Sequence, residues 1–413
     1  MRDINKRNFS ILLILFIVSP ILSLLFSIKN FSLKESKFII YLFCIFFGLT
    51  LVLGNDKLDS FQYAQYLKNF EFDRNYTFNS FFENFLASEK SLDIAQFFVS
   101  FFVSKITYHH NLLFGVFALI FGFFYIKNIS NMYHLYSYNK NYLSLILLLI
   151  FVFNLNPIFN INGFRFWTAT WIFFYGVYGY FREKDFKYWS FLILSVLFHF
   201  SFIVPCVVFF IYFLFGNRYK LYFFLLICSF FISEFVIYIL PDYSYLFGEG
   251  IEMKVSRYSS KDYIEKSGEL TQNAIEEFKW YLFLPGKLMY YYLLFIFFYV
   301  LKKFKSEIEY LNLEFLSFIL LFSAFSNFVS FIPTMARFKT LTLLFVIAYL
   351  LNIFSILGFK LRFNLFLLGI IPFLLGFIVS IRLGLDLISP WLIFLLPLSI
   401  WENNISLYQL IFN

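Results

Sequence analysis

Charge is what this sequence has least of. Only 14% of its 413 residues are Asp, Glu, Lys or Arg, against 61% hydrophobic, and the mean hydropathy is +0.76. So little polar surface cannot cover a soluble globule of this size, and the chain is read as an integral membrane protein. Cysteine is also scarce. Cys44, Cys206 and Cys228 fall in apolar runs without paired or metal-ligand spacing, which argues against structural disulfides and zinc sites. No H-E-x-x-H, Walker A, G-x-S-x-G, C-x-x-C or G-x-G-x-x-G pattern occurs, so metalloprotease, ATPase, serine hydrolase, thiol redox and dinucleotide chemistries lack support. Internal repeats, linkers and a soluble catalytic domain are missing too. Residues 1–413 form a single membrane domain with hydrophilic loops at 55–91 and 241–279.

What the chain has in abundance is aromatic and apolar sequence. The 69 Phe and 30 Tyr serve lipid-facing and core positions alike and carry no functional weight. The net charge of +8 is spread over short loops instead of a patch, which fits the positive-inside rule and not a nucleic-acid partner. Arg2, Lys6 and Arg7 precede the apolar run Phe9–Ile28, which resembles a signal sequence but is long and lacks an A-x-A cleavage site; it is read as a retained first span.

Further apolar runs lie at Phe38–Gly54, Leu92–Thr107, Leu112–Ile126, Tyr142–Phe153, Phe164–Phe181, Tyr188–Phe215, Leu221–Leu240, Tyr281–Leu301, Leu313–Ile332, Leu341–Leu357, Leu365–Ile381 and Leu387–Ile400. Helices of roughly 20 residues cross a bilayer, so the expectation is an all-α polytopic protein of about 12–14 spans, some broken or re-entrant. The short basic loops Arg182–Lys187, Arg218–Lys220, Lys302–Lys305 and Lys360–Arg362 belong on the cytoplasmic side. They agree only if Tyr188–Phe215 enters and leaves on one side, turning near His199 to Pro205. The mouths around Arg165 and Arg337 then face outwards.

Ionisable groups inside apolar sequence are the first candidates for function, because burying charge in lipid is costly. Arg165 follows a polar run of Asn154, Asn156, Asn160 and Asn162 that ends in Gly163; it suits a bidentate phosphate contact or a snorkelling anchor. His199, in Leu-Phe-His-Phe-Ser, is a base, a phosphate ligand, a proton carrier or a neutral buried ring bonded to a carbonyl or to Ser201. Arg337 opens a later run and is a second diphosphate contact or a span-end anchor, and Lys339 an anchor. Asp56 and Asp59 are possible bases or sugar-hydroxyl acceptors, with Tyr63 and Tyr66 as stacking surfaces, unless the stretch is a solvated amphipathic loop. Arg382 and Asp386, four residues apart, pair with each other. Asp93, Lys105, Glu234 and Glu314 sit at span ends and receive no role.

The order of these features resembles the EpsG/Wzy-like bacterial polysaccharide polymerases. The resemblance rests on Gly54, Asp56, Tyr63 and Tyr66 after an early span, an Asn162–Arg165 entrance, and the basic hairpin Arg182–Lys187. His199 and Ser201 in an apolar run, Tyr258 in a hydrophilic loop and a late Arg337 complete it. Phe166 stands where a glutamine is common in the family, and residues 47–53 contain no arginine. Membership implies transfer of a growing glycan from undecaprenyl diphosphate to a lipid-linked oligosaccharide repeat unit at the outer face of the bacterial inner membrane. Arg165 and Arg337 would hold the diphosphate, and His199, Asp56 or Asp59 would take the proton. Asn162, Ser201, Tyr63, Tyr66 and Tyr258 would contact substrate. No cofactor or metal is implied; the bilayer, and a chain-length regulator and flippase of the same pathway, would be partners. A polyprenyl-phosphate-sugar glycosyltransferase and a lipid-linked oligosaccharide flippase are the alternatives.

Overall fold

The computed structural model describes residues 2–53, 59–72, 77–87, 93–136, 155–243, 284–303, 313–330, 332, 335–356, 359–393 and 405–412. Among them the regular structure is helical, without a strand. Asp56, Asn154, Tyr258 and the run Tyr142–Phe153 lie outside the described residues.

The amino-terminal run is not one span. Helix α1 (Arg2–Val18) stops at Ser19, whose backbone is extended at φ −150° and ψ 101°, and α2 (Pro20–Lys29) restarts at Pro20. Proline has no N–H to donate and disfavours helix in the residue before it, so the chain turns there. The Ser23 hydroxyl donates to the Leu12 carbonyl at 2.9 Å. Residues eleven apart in a straight helix stand about 16 Å apart, so α2 folds back on α1 and the expected single span is corrected to a helical pair.

Helices α3 (Lys34–Leu49) and α7 (His110–Tyr136) run antiparallel, tied by Asn111 Nδ2 donating to the Leu49 carbonyl at 2.8 Å. The loop 55–91 holds two helices, α4 (Asp59–Phe72) and α5 (Phe78–Ala87), and α6 (Ile94–Ser104) follows. A deeply buried helix is α8 (Phe164–Glu183), where Phe164, Ala169, Trp171, Ile172, Phe173, Phe174 and Val177 are fully enclosed. A helix apolar on every side belongs in the interior, and α8 packs against α7 through Phe117, stacked on Phe164 at 3.9 Å.

The run Tyr188–Phe215 is a hairpin. Helix α9 (Trp189–Phe198) ends at His199, which is extended at φ −150° and ψ 114°, and α10 (Ile203–Phe215) returns. The Trp189 ring at the start of α9 lies 5.3 and 5.0 Å from Phe209 and Phe213 at the far end of α10, so both ends emerge together. Pro205 sits in the first turn of α10, where its missing N–H leaves no helical bond unmade; the break comes before it.

Next come α11 (Tyr219–Tyr243), α12 (Leu284–Lys303), α13 (Leu313–Phe328), α14 (Phe338–Ile356), α15 (Phe359–Leu385) and α16 (Leu407–Phe412). Pro241 and Asp242, expected in a loop, complete α11 instead. By length and composition two described stretches can cross a membrane, His110–Tyr133 and Leu367–Leu385. Other apolar stretches are shorter helices: α6 has 11 residues, and the two arms of the expected hairpin, α9 and α10, have 10 and 13.

One end of this bundle is marked by ions. Lys184 pairs with Glu314 at the start of α13, whose carbonyl accepts the Tyr212 hydroxyl of α10 at 2.8 Å. The opposite end carries the first turn of α8.

Candidate functional site

The polar run before α8 builds a short 3-10 turn over Ile158–Gly163. Asn156 is enclosed; its Nδ2 donates to the Trp167 carbonyl at 3.3 Å and its Oδ1 accepts from Asn160 Nδ2 at 2.9 Å. These asparagines therefore satisfy one another and the backbone, which irregular chain buried among apolar helices requires. Asn162 differs: its Oδ1 is buried and has no hydrogen-bond partner among the described residues. Gly163 leaves room for Trp167, since a Cβ there would come within 3.0 Å of the indole.

Arg165 emerges from this turn into a cluster drawn from three other parts of the chain. Its Nε donates to the Tyr63 hydroxyl at 2.8 Å and its Nη1 to Asp93 Oδ2 at 3.1 Å, while Nη2 stands 3.8 Å from Asp59 Oδ1. The arginine side chain is 27% accessible, Asp59 36% and Asp93 only 8%. Asp93 is thus the enclosed counterion and Asp59 the carboxylate at the rim. Tyr63, buried on α4, is held by Phe117 of α7 at 5.7 Å, the same ring that stacks on Phe164.

The tip of the α9–α10 hairpin joins the cluster through Asp93. Breaking a helix inside an apolar protein strands backbone N–H groups that need acceptors. Asp93 Oδ1 accepts the Phe200 N–H at 2.8 Å. His199 Nδ1 faces the Ser201 N–H at 3.3 Å and the Ser201 hydroxyl at 2.8 Å. A nitrogen that accepts from a backbone N–H cannot itself be protonated, which puts the proton of the neutral imidazole on Nε2.

Phe166 is where the elements meet. The His199 ring stands edge-on to it at 5.4 Å, the Arg337 guanidinium lies 5.6 Å from its centre, and Phe202 and Phe338 pack at 5.4 and 5.6 Å. Phe202 immediately precedes α10 and Phe338 is the first residue of α14. The amino-terminal ends of α8, α10 and α14 therefore converge on one ring, each led by a 3-10 turn (Ile158–Gly163, Phe200–Phe202, Met335–Arg337). Helix amino termini carry partial positive charge, so three of them and two arginines make this mouth attractive to anions.

The EpsG family model matches residues 38–389. The chain belongs to the EpsG family. That span takes in every residue of the cluster; no curated protein and no solved structure matches the chain.

In this EpsG-family chain the fold gathers Asp59, Tyr63, Arg165, His199, Ser201 and Arg337 at one mouth, with Asn162 on the turn leading into it. Tyr66 is elsewhere: it packs on Phe70 and Phe97, at 5.2 and 5.0 Å, in a small aromatic cluster of α4 and α6. Asp93 and Phe166 are the residues sequence reasoning passed over. A lone carboxylate ahead of an apolar run was a signal for the first, but nothing local ties position 93 to 165 or 200. Arg382 does pair with Asp386, at 2.9 Å, and covers the Tyr408 ring. Among the described residues no group of three or more His, Cys, Asp and Glu side chains gathers as a metal site.

Proposed function

We propose that the protein is a polymerase of surface polysaccharide biosynthesis, transferring a growing glycan from undecaprenyl diphosphate to the terminal sugar of a lipid-linked repeat unit. The single observation behind this is the convergence on Phe166 of Arg337, the His199 ring and three helix amino termini, with Arg165 and the half-open Asp59 carboxylate beside them. Such a mouth suits a leaving group that becomes more negative as it departs.

In the reaction the acceptor hydroxyl attacks the anomeric carbon, the bond from that carbon to the diphosphate oxygen breaks, and the hydroxyl proton goes to a base. Asp59 fits the base better than His199 does. It is accessible at the rim beside Arg165, whereas the imidazole presents a donor at Nε2 and so serves the departing diphosphate. Asp93 is a positioning residue, fixing the guanidinium and the hairpin tip at once. Arg165 shares its charge with two carboxylates, so Arg337, an exposed residue of the same mouth, supplies much of the net attraction for the anion. On this reading the membrane domain is polytopic in the bacterial inner membrane, the mouth faces outwards, opposite the basic turn Arg182–Lys187, and flippase and chain-length regulator act beside it.

The test is glycan length in membranes carrying Arg337→Ala or Asp59→Asn. Loss of long chains with the protein still inserted is expected; long chains persisting in both variants refute the reading. Translocation of lipid-linked oligosaccharide by reconstituted vesicles without chain lengthening would refute it in favour of a flippase.

A further inference from the structure

Lys339 follows Arg337 by two residues but turns to a different helix. Its ammonium lies 5.3 Å from the centre of the Tyr290 ring of α12. A span-end anchor keeps its charge in water, whereas this lysine is half-buried over a ring that is only 6% exposed. The ring is fixed as well: its hydroxyl donates to Asn327 Oδ1 of α13 at 2.8 Å, and Asn327 Nδ2 donates in turn to Ser229 Oγ of α11 at 3.2 Å. Four helices thus set the place of one ammonium.

A second cation stands beside it. Lys287, less than one turn before Tyr290 on α12, is exposed and close enough for its charge to repel that of Lys339. Among the described residues no carboxylate pairs with either lysine. A ring face offsets only part of what an ammonium loses on leaving water, and a like charge nearby adds to the loss. An anion held by both lysines would offset it. Beyond Lys287 the same helix presents Leu288, Tyr291 and Phe295, which are 37%, 62% and 55% exposed. Their spacing of i, i+3 and i+7 makes one stripe, an apolar lane about 10 Å long that leads away from the charges. Any helix face in a membrane meets lipid; what singles this one out is the lysine pair at its head.

Joining two diphosphate-linked lipids brings two diphosphates to one mouth, and the cations around Phe166 account for one. The second belongs apart from the reacting carbon, because the sugars of the repeat unit lie between the acceptor's diphosphate and the hydroxyl that attacks. Lys339 meets that condition, since it neighbours Arg337 in the chain yet faces α12 instead of α8. We propose that Lys287 and Lys339 hold the diphosphate of the acceptor lipid, with its polyprenyl tail along Leu288, Tyr291 and Phe295. The assignment rests on the polymerase reading and divides the two substrates: the arginines serve the donor and the lysine pair the acceptor.

Native mass spectrometry of the full-length protein in neutral detergent, titrated with undecaprenyl diphosphate, counts the sites. The wild type should take up two molecules. Lys287→Gln combined with Lys339→Gln should take up one, while Lys302→Gln with Lys303→Gln, at the other end of α12, should keep two. Undecaprenol, which has the tail alone, and phosphatidylglycerol, which has a single phosphate, should not fill the lysine site. One molecule on the wild type, two on the Lys287 and Lys339 variant, or equal filling by undecaprenol or phosphatidylglycerol would each overturn the proposal. The wild-type count decides even where the double variant fails to fold. In reconstituted membranes that variant should raise KM for the lipid-linked repeat unit about tenfold and leave kcat within about twofold; a fall in kcat at unchanged KM would remove the lysines from acceptor binding. Two molecules bound by a wild type that lengthens no glycan would refute the polymerase reading, and the acceptor role with it.

Discussion

Two sets of ion pairs stand at opposite ends of α8 and differ in every respect but chemistry. At the carboxyl end Arg182 bonds its neighbour Glu183, and Lys187 reaches Glu183 and Asp185, each at 3.0 Å, all within one exposed turn. At the amino end Arg165 meets Asp93 across 72 residues of chain, and Asp93 is almost fully enclosed. The local pairs form because their side chains are neighbours in any conformation of the turn, and water screens them. The distant pair exists only if α6, α8 and the hairpin tip have all docked. Ion pairs of the first kind add little; removing one partner of the second strands a buried charge.

The largest effect should come from Asp93→Ala, which leaves Arg165 without its enclosed counterion and the Phe200 N–H without an acceptor. A loss of about 3–5 kcal/mol is expected for breaking such a pair, read as thermal unfolding in detergent, together with loss of long-chain glycan. Should Asp93→Ala melt like wild type, the contrast between the two ends of α8 fails.

Arg165→Lys comes next. A lysine cannot engage Tyr63, Asp93 and the anion at once, so glycan lengthening should fall by about 10²–10³ while the fold persists. A wild-type rate would show that only positive charge matters there.

His199→Gln sharpens the role of the hairpin tip. A glutamine amide donates where Nε2 did, so roughly tenfold slowing is expected against about 10²-fold for His199→Ala. Equal loss in the two variants would return the role of base to His199.

At the small end, Lys187→Gln should leave the melting temperature in detergent essentially unchanged. The Lys187 N–H and ammonium hold the Asp185 carboxyl below its ordinary 3.8. A depressed carboxyl stabilises above its unfolded value and loses that contribution as pH falls through the lower folded one. Melting curves of wild type and Asp185→Asn should therefore differ slightly above about pH 4 and converge as the pH falls below it.

Much of this was legible in advance. Side assignment from basic loops required Tyr188–Phe215 to turn back on itself, and His199 does sit at the tip, since a polar side chain that can take a backbone N–H belongs where a helix breaks. The sequence also singled out Arg165 and Arg337. The run Phe9–Ile28 was misleading because hydropathy averages over Pro20, which acts on one peptide unit. Tyr66 was paired with Tyr63 by proximity in sequence, yet three residues along α4 carry it round to α6.

Composition alone determined that the chain is strongly apolar and, among the described residues, helical, because so few charges cannot dress a soluble surface and buried backbone must bond within its own segment. It also determined which ionisable groups deserved suspicion. Tertiary structure decided which carboxylate neutralises Arg165, which nitrogen of His199 holds its proton, and that Phe166 is the ring on which three helices end. Those outcomes depend on contacts between residues 59, 93, 165, 200 and 337, whose separation along the chain exceeds the reach of any local pattern. Only packing sets such distances, and an ion pair or a hydrogen bond is decided by distance.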